Sequence, residues 1–269
     1  HITDLYMFID ELVPRKERTV GRPPALSDSE VVTMVLWSTL VPVRQQTLKD
    51  VYRWIKIYHH KDFPQLPHYS SFVESCHRAM PAFALVLQQL LVDDARIRFI
   101  DSTMLPVCRS VRADSHKVAK TIAKWGKNWQ GWHYGFKLNA EINPKGQLAS
   151  VVFTPANTHD AQVMPQLLNR SVKIAVGDTL YGARVMRNNI WKKYKCAVFA
   201  PPHPKQKKKI ATWWQNELLN LRSTVESTFD YLKHHLHLVT SFPRSINGYF
   251  LHYFRILLGY QLLSLISAK

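Results

Sequence analysis

Three carboxylates stand out by type and position: Asp101 in Arg98-Phe-Ile-Asp-Ser-Thr, Asp178 in Ile174-Ala-Val-Gly-Asp-Thr, and Glu226 in Arg222-Ser-Thr-Val-Glu-Ser-Thr-Phe-Asp-Tyr-Leu-Lys. The first two close apolar, strand-like runs and the third lies on a helical pattern. Oxygen donors of this kind suit a hard divalent cation. The 269-residue chain around them carries 36 Lys and Arg against 19 Asp and Glu, a formal net charge of +17. A hard-cation site on so basic a chain points to chemistry on nucleic acid.

The elements that must carry these groups can be placed from periodicity. After Ile210, Leu218, Leu221, Val225, Phe229, Leu232 and Leu236 recur at offsets of three and four, the core stripe of one long helix. Glu226 falls beside that stripe, and at about 100° per residue Arg222 and Lys233 lie within about 40° of it. The same flank also describes an ordinary i,i+4 ion pair on a surface helix. The two strand-end aspartates are what favour a site. Glu217 lies about 180° around the helix from Glu226, Asp160 falls at a helix start where capping is the simpler role, and Asp114 and Asp230 are local. None of these four is expected to hold metal.

From Ala95 onward the texture is mixed. Strands are expected at Arg96–Ile100, over Tyr134–Ile142 and over Gln147–Thr154, the last two a hairpin through Asn143-Pro-Lys-Gly. A helix opening at Thr158-His-Asp-Ala, a strand over Val172–Val176, a helix over Ala183–Lys193 and a strand over Ala197–Phe199 follow. This βββαβαβ order lets the strands ending in Asp101 and Asp178 lie side by side, with both carboxylates at the edge where ligand sites in α/β sheets gather.

Residues 1–95 are expected to be helical, with Ser27 or Asp28 as a cap before Val31, Val32, Met34, Val35 and Leu36. A second helix over Thr47–Tyr58 sets Leu48, Val51, Ile55 and Tyr58 on one face and Lys49, Arg53 and Lys56 elsewhere. That pattern fits a small DNA-binding helix and equally a solvated face. The expected organisation is a helical DNA-binding domain over 1–95, a catalytic domain over 96–240, and a C-terminal helical segment over 241–269. This last segment, with Tyr249, Phe250, Tyr253 and Phe254, packs on its own core or forms a dimer contact.

The connection from Met104 to Gly131 carries Arg109, Arg112, Lys117, Lys120, Lys124 and Lys127 against the single acid Asp114, with Trp125, Trp129 and Trp132 interleaved. These residues read as a phosphate-gripping arm with stacking groups. A helix over Ser115–Trp125, burying Val118, Ile122 and Trp125, is the plainer alternative. Lys205, Lys207, Lys208 and Lys209 form a second cluster before the Glu226 helix, fit either for DNA contact or as a solvated linker.

Other classes fit less well. Ribosome-associated and membrane-surface proteins concentrate their charge in blocks or basic amphipathic helices, whereas here it is spread over a 46% hydrophobic chain. Cys76, Cys108 and Cys196 are isolated, so no disulfide framework or paired-cysteine zinc site is expected. The chain shows no cleavable signal pattern, and Ile256–Ile266, interrupted by Gly259 and Gln261, is too short an apolar stretch for a bilayer. A reducing, cytoplasmic setting without membrane is expected. The chain opens on His1, as a chain with a tag remnant or lacking an N-terminal piece would.

Ile100-Asp-Ser-Thr, Trp132-His-Tyr-Gly-Phe-Lys-Leu, Thr154-Pro-Ala-Asn-Thr-His-Asp, Gly177-Asp-Thr-Leu-Tyr-Gly and the Arg222, Glu226, Lys233 spacing together resemble the DDE transposases of small bacterial insertion sequences. The resemblance covers residues 97 to about 240, and Gly21-Arg-Pro-Pro-Ala-Leu-Ser-Asp-Ser-Glu is similar to the lead-in of such proteins. The order is specific, with 77 positions from 101 to 178 and 48 from 178 to 226. It implies an α/β fold: a ribonuclease H-like mixed sheet flanked by helices, preceded by the all-helical N-terminal domain. It further implies Asp101, Asp178 and Glu226 as catalytic ligands of two Mg²⁺ ions, for which Mn²⁺ substitutes. The chemistry implied is cleavage of insertion-sequence ends and joining of the 3′-hydroxyl to target DNA, without a covalent protein intermediate. His133 and His159 are then structural or supporting groups. Double-stranded DNA is the implied partner, bound by a homodimer at the bacterial nucleoid, with Arg222 and Lys233 among the end contacts. Several related families carry Tyr where this chain has Leu219, which bears on end recognition and not on the metal ligands. The rival readings are a ribonuclease H-like nuclease without strand transfer and a transposase-derived DNA-binding protein that no longer cuts.

Overall fold

The computed structural model describes residues 1–15, 23–41, 47–202 and 212–267. The Lys205, Lys207, Lys208 and Lys209 cluster, and Gly21 and Arg22 of the lead-in, lie outside the described residues. The chain forms two compact units, one of residues 1–90 with 236–238 and 242–267, the other of residues 91–235 with 239–241.

The first unit is helical: α1 (Ile2–Leu12), α2 (Asp28–Leu40), α3 (Leu48–Tyr58), α4 (Tyr69–Arg78), α5 (Met80–Leu90) and, from the far end of the chain, α10 (Ile246–Ser267). Ser27 starts α2 with a capping box, its hydroxyl accepting from the Glu30 N–H while the Glu30 carboxylate accepts from the Ser27 N–H. Thr47 and Asp50 do the same for α3. In α3, Val51 and Ile55 are buried and Lys49, Arg53 and Lys56 exposed, but Tyr58 leaves the expected apolar face and is exposed.

At 22 residues α10 is longer than the sequence suggested, and by length and composition alone it could cross a membrane. The apolar stretch is extended because Arg255 and His252 join it as buried groups, along with Gln261, whose amide donates to the Leu90 carbonyl. α10 packs on α2, α4 and α5, and a helix apolar on all sides is what such a central position requires. Gly259 permits the approach to α2, since a Cβ there would lie 2.3 Å from Thr39 Oγ1. Tyr249 and Tyr253 are buried, their ring centroids 6.3 Å apart along α10.

The second unit is built on a mixed sheet of β1 (Ile97–Pro106), β2 (Lys124–Asn128), β3 (Gly131–Ile142), β4 (Leu148–Pro155), β5 (Ile174–Val176) and β6 (Ala197–Phe199). β3 pairs antiparallel with β1 on one side and with β2 and β4 along the other; β1, β5 and β6 then run parallel. The helices of this unit are α6 (Asp160–Leu167), α7 (Arg184–Tyr194), α8 (Trp213–Leu221) and α9 (Ser223–Asp230). Ile100, Ala175 and Val198 form one core with Val163, Met164 and Leu167 of α6 and Ile190 of α7. Strand alternation turns Phe99, Asp101 and Val176 to the opposite face, where α9 meets β1.

Three expectations are corrected. The first strand does not close at Asp101 but runs on to Pro106, because the antiparallel ladder with β3 continues from Asp101 opposite Ala140 to Pro106 opposite Gly135. The helix over Ser115–Trp125 does not form: residues 113–115 and 118–122 are turns, and Lys124 and Trp125 belong to β2. Pairing with β3 overrides the local helical period, with the Trp125 and Tyr134 rings 5.5 Å apart across the ladder. Gly126 backs onto β4's end so closely that a Cβ would lie 2.2 Å from the Ala156 carbonyl oxygen. The single long helix after Ile210 is instead α8, a junction at Arg222, α9 and a π-helical turn over Tyr231–His235. Leu221 leaves the apolar stripe and is half exposed as a result.

Candidate active site

The β1–β5 register aligns Ile97 with Ile174, Arg98 with Ala175 and Phe99 with Val176. Each pair is separated by 77 positions, the same interval that separates Asp101 from Asp178. Two residues past the last aligned pair, Asp101 is still within β1, while Asp178 stands just beyond the end of β5 at the start of the next turn, near enough for its charge to act on Asp101. Asp178 caps the short 3-10 turn Thr179–Gly182, its carboxylate accepting from the Leu180 N–H at 2.9 Å. That turn is held from beneath by Tyr181, whose buried ring lies on Gly177; a Cβ at Gly177 would sit 2.5 Å from it. The Tyr181 hydroxyl has no hydrogen-bond partner among the described residues.

Burial pushes Asp101 up to about 6, and the Asp178 charge adds to the rise, against the Ser102 N–H and the Arg222 guanidinium. Asp178 is raised as well, by burial first. Arg222, at the α8–α9 junction, lies 3.7 Å from Asp101 Oδ2 through Nη1 and 2.5 Å from Glu226 Oε1 through Nη2. One guanidinium thus joins the strand carboxylate to the helix carboxylate. Lys233, on the π-helical turn, is lowered by burial, with Asp101 acting in the opposite sense. Beside Glu226 an open groove of about 460 Å³ is lined by Ser227, Asp230, Tyr231 and His235, with Tyr231 stacked on His235.

The other sequence-derived residues are placed as follows. Arg109, Arg112, Lys117, Lys120, Lys124 and Lys127 are all exposed. Trp129 is 90% exposed at the two-residue tip between β2 and β3, and Lys127 lies over the Trp132 ring at 5.7 Å. His133 bonds to Asn128 through Nε2, and His159 caps α6 by accepting from the Ala161 N–H. Asp114, Glu217 and Asp230 are exposed. Asp160 does not cap α6, because its carboxylate is buried and bonds to Lys137 Nζ at 2.7 Å and Ser102 Oγ at 2.9 Å. Lys137 and Ser102 were missed as functional neighbours; a lysine inside the apolar run Tyr134–Ile142 was the available signal.

Oxygen donors from two adjacent aspartates suit a divalent cation, and the mutual repulsion of Asp101 and Asp178 is what such a cation would relieve. Glu226 is 54% exposed and turned to Arg222. Among the described residues no three His, Cys, Asp or Glu side chains form a ready metal cluster.

A six-stranded mixed sheet in which β1 lies between antiparallel β3 and the parallel strands β5 and β6, with helices against it, is a ribonuclease H-like fold. The family model described as Transposase DDE domain matches residues 92–246, more than half of the chain, and the chain belongs to that family. It is thus a transposase, of the nuclease and transposase class of enzymes, acting on DNA in a family that works with divalent metal ions. Neither the comparison with curated proteins nor that with solved structures returns a match.

Proposed function

We propose that this transposase cleaves the ends of an insertion sequence and joins the freed 3′-hydroxyl to target DNA, with Asp101, Asp178 and Glu226 as the ligands of two Mg²⁺ ions or of Mn²⁺ in their place. The observation that supports it best is the shared 77-position interval of the strand register and the two aspartates. Bound between these carboxylates and a scissile phosphate, the ions would lower the pKa of the attacking hydroxyl and neutralise charge on the leaving oxygen. In each step an oxygen nucleophile, water or the 3′-hydroxyl, forms a bond to phosphorus as the opposite P–O bond breaks. The nucleophile's proton passes to solvent and the departing oxygen takes one up.

The chain's own groups prepare this. Asp178 is fixed by the turn it caps, Asp101 by the β1 ladder, and Arg222 joins Glu226 to Asp101, so that the three carboxylates would hold the ions between them. Lys233 faces the Asp101 side of the site, where a phosphate would be drawn in. The exposed cations from Arg109 to Lys127, with the Trp129 tip, form the duplex-gripping surface. Lys207 and Lys208 extend it in sequence. The helical residues 1–95 supply further DNA contacts, residues 96–240 the chemistry, and two chains hold two ends at the nucleoid in the cytoplasm.

The test is incubation of the protein with terminal-repeat DNA and a plasmid in Mg²⁺, beside an Asp178→Asn variant. Joined products from the parent protein, absent with the variant, are expected. Nicking without joining across all candidate ends would assign a nuclease instead, and binding without cleavage by either protein would overturn the catalytic reading.

A further inference from the structure

Ser102 follows Asp101, and on a strand the two side chains leave opposite faces of the sheet. Asp101 meets Arg222 on the α9 face, while Ser102 donates to Asp160 Oδ2 at 2.9 Å on the α6 face. Asp160 Oδ1 accepts from Lys137 Nζ at 2.7 Å, and the same ammonium donates to the Thr158 carbonyl at 2.9 Å. Lys137 stands opposite Met104 in the β1–β3 ladder, and both it and Asp160 are more than nine-tenths buried. Three segments distant in sequence therefore meet in one charged knot behind the two aspartates.

Such a pair is unusual as a device for stability alone, because desolvating two ions offsets most of their attraction, and apolar replacements are often as stable. It is also oriented. After burial, Asp160 is among the charges that push both Asp101 and Asp178 upward. The anionic end of the pair is the one bonded to Ser102, the neighbour of Asp101, while the cationic end is bonded to the Thr158 carbonyl.

We propose that Lys137 and Asp160 are positioning residues of the metal site: the pair locks the Asp101–Ser102 segment of β1 in place and sets the negative field that strengthens cation binding at Asp101 and Asp178. This rests on the reading of those aspartates as metal ligands. The two side chains then have opposite electrostatic effects. Asp160→Asn leaves the Lys137 ammonium unbalanced and weakens cation binding, while Lys137→Met leaves the Asp160 carboxylate unbalanced and tightens it. For a unit charge roughly 10 Å from a divalent cation at an effective dielectric near 20, each change is on the order of a hundredfold in Kd. Both single variants lose activity, since the segment is no longer locked.

The experiment is a titration of the DNA-free protein with Mn²⁺, free metal being counted by electron paramagnetic resonance, with urea unfolding run in parallel. The parent, Asp101→Asn, Asp160→Asn, Lys137→Met, Lys137→Arg and the Lys137→Met/Asp160→Asn double variant are compared. Expected are Kd changes of opposite sign in the two single variants, a double variant folded and within about twofold of the parent in Kd, and recovery of cleavage in Lys137→Arg but not in the double variant. Kd changes of the same sign, or changes that merely follow the urea midpoints, would overturn the inference and leave the metal site standing, provided Asp101→Asn abolishes binding. Unchanged binding in Asp101→Asn would overturn the metal site and this inference together.

Discussion

Arg222 touches two carboxylates that belong to different elements, Asp101 of β1 and Glu226 of α9. Among the described residues this guanidinium is the cation that pairs with both. Replacing it with Gln removes the charge that opposes the upward shift of Asp101, so the metal-free protein should unfold at a lower temperature near pH 7. The rise in melting temperature on adding Mn²⁺ should be larger than in the parent, and differential scanning calorimetry with and without Mn²⁺ reads both. Asp101→Asn has the opposite effect. It removes a carboxylate whose ionisation is disfavoured in the folded protein, so the variant should gain on the order of 2 kcal/mol at neutral pH while losing cleavage entirely. A variant that is both inactive and less stable would contradict the buried, repelled state of Asp101.

At the scale of elements, the turn after β5 and the β2–β3 hairpin carry separate predictions. Gly177→Ala places a methyl against the Tyr181 ring at 2.5 Å, and the turn capped by Asp178 must shift. A loss of about 1–3 kcal/mol is expected from such overpacking, with cleavage reduced far more than DNA binding. Equal losses in both would show that the turn does not position Asp178. On the hairpin, Lys124→Ala with Lys127→Ala should reduce the slope of log K against log salt by about 0.9 for each phosphate no longer neutralised. Trp129→Ala should instead weaken binding to single-stranded or distorted DNA at every salt concentration and leave the slope unchanged. Fluorescence anisotropy across a salt series separates the two.

For the whole molecule, the pH dependence of stability follows from two buried carboxyls in the sheet unit. Asp101 is raised from 3.8 to about 6, and Glu141, buried with fully buried Arg98 among the charges acting on it, from 4.5 to about 8. A carboxyl with a raised folded pKa holds its proton more tightly when folded, so the unfolded chain binds fewer protons between the two values and stability falls as pH rises. The sheet unit should therefore lose stability from about pH 4 to about pH 8, the Asp101 share ending near 6. Mn²⁺ should restore the Asp101 share, and Glu141→Gln should flatten the curve between pH 6 and 8 without changing the response to Mn²⁺. Urea unfolding across this range, followed by a probe in the sheet unit, tests the assignment.

Periodicity and punctuation made much of the second unit legible: the β3–β4 hairpin, the alternation of β5, α7 and β6, and the place of Asp178 just after β5. These depend on local burial patterns and backbone preferences, which reside in short stretches of sequence. The Ser115–Trp125 segment was misread for the complementary reason. Its apolar residues recur with a helical period, but pairing with β3 and the close approach of Gly126 to Ala156 outweigh that preference. The partners of the charged groups were equally illegible. Lys137 and Asp160 lie 23 positions apart and meet through the β1–β3 register and the placement of α6. The sequence by itself determined that two of the carboxylates stand on or just after strands and the third on a helix; only the tertiary structure decided that β1 runs on past Asp101, that Arg222 joins two of the carboxylates and that a buried ion pair stands behind. The reason is that a side chain's charge partner is set by long-range register and packing, which no local period encodes.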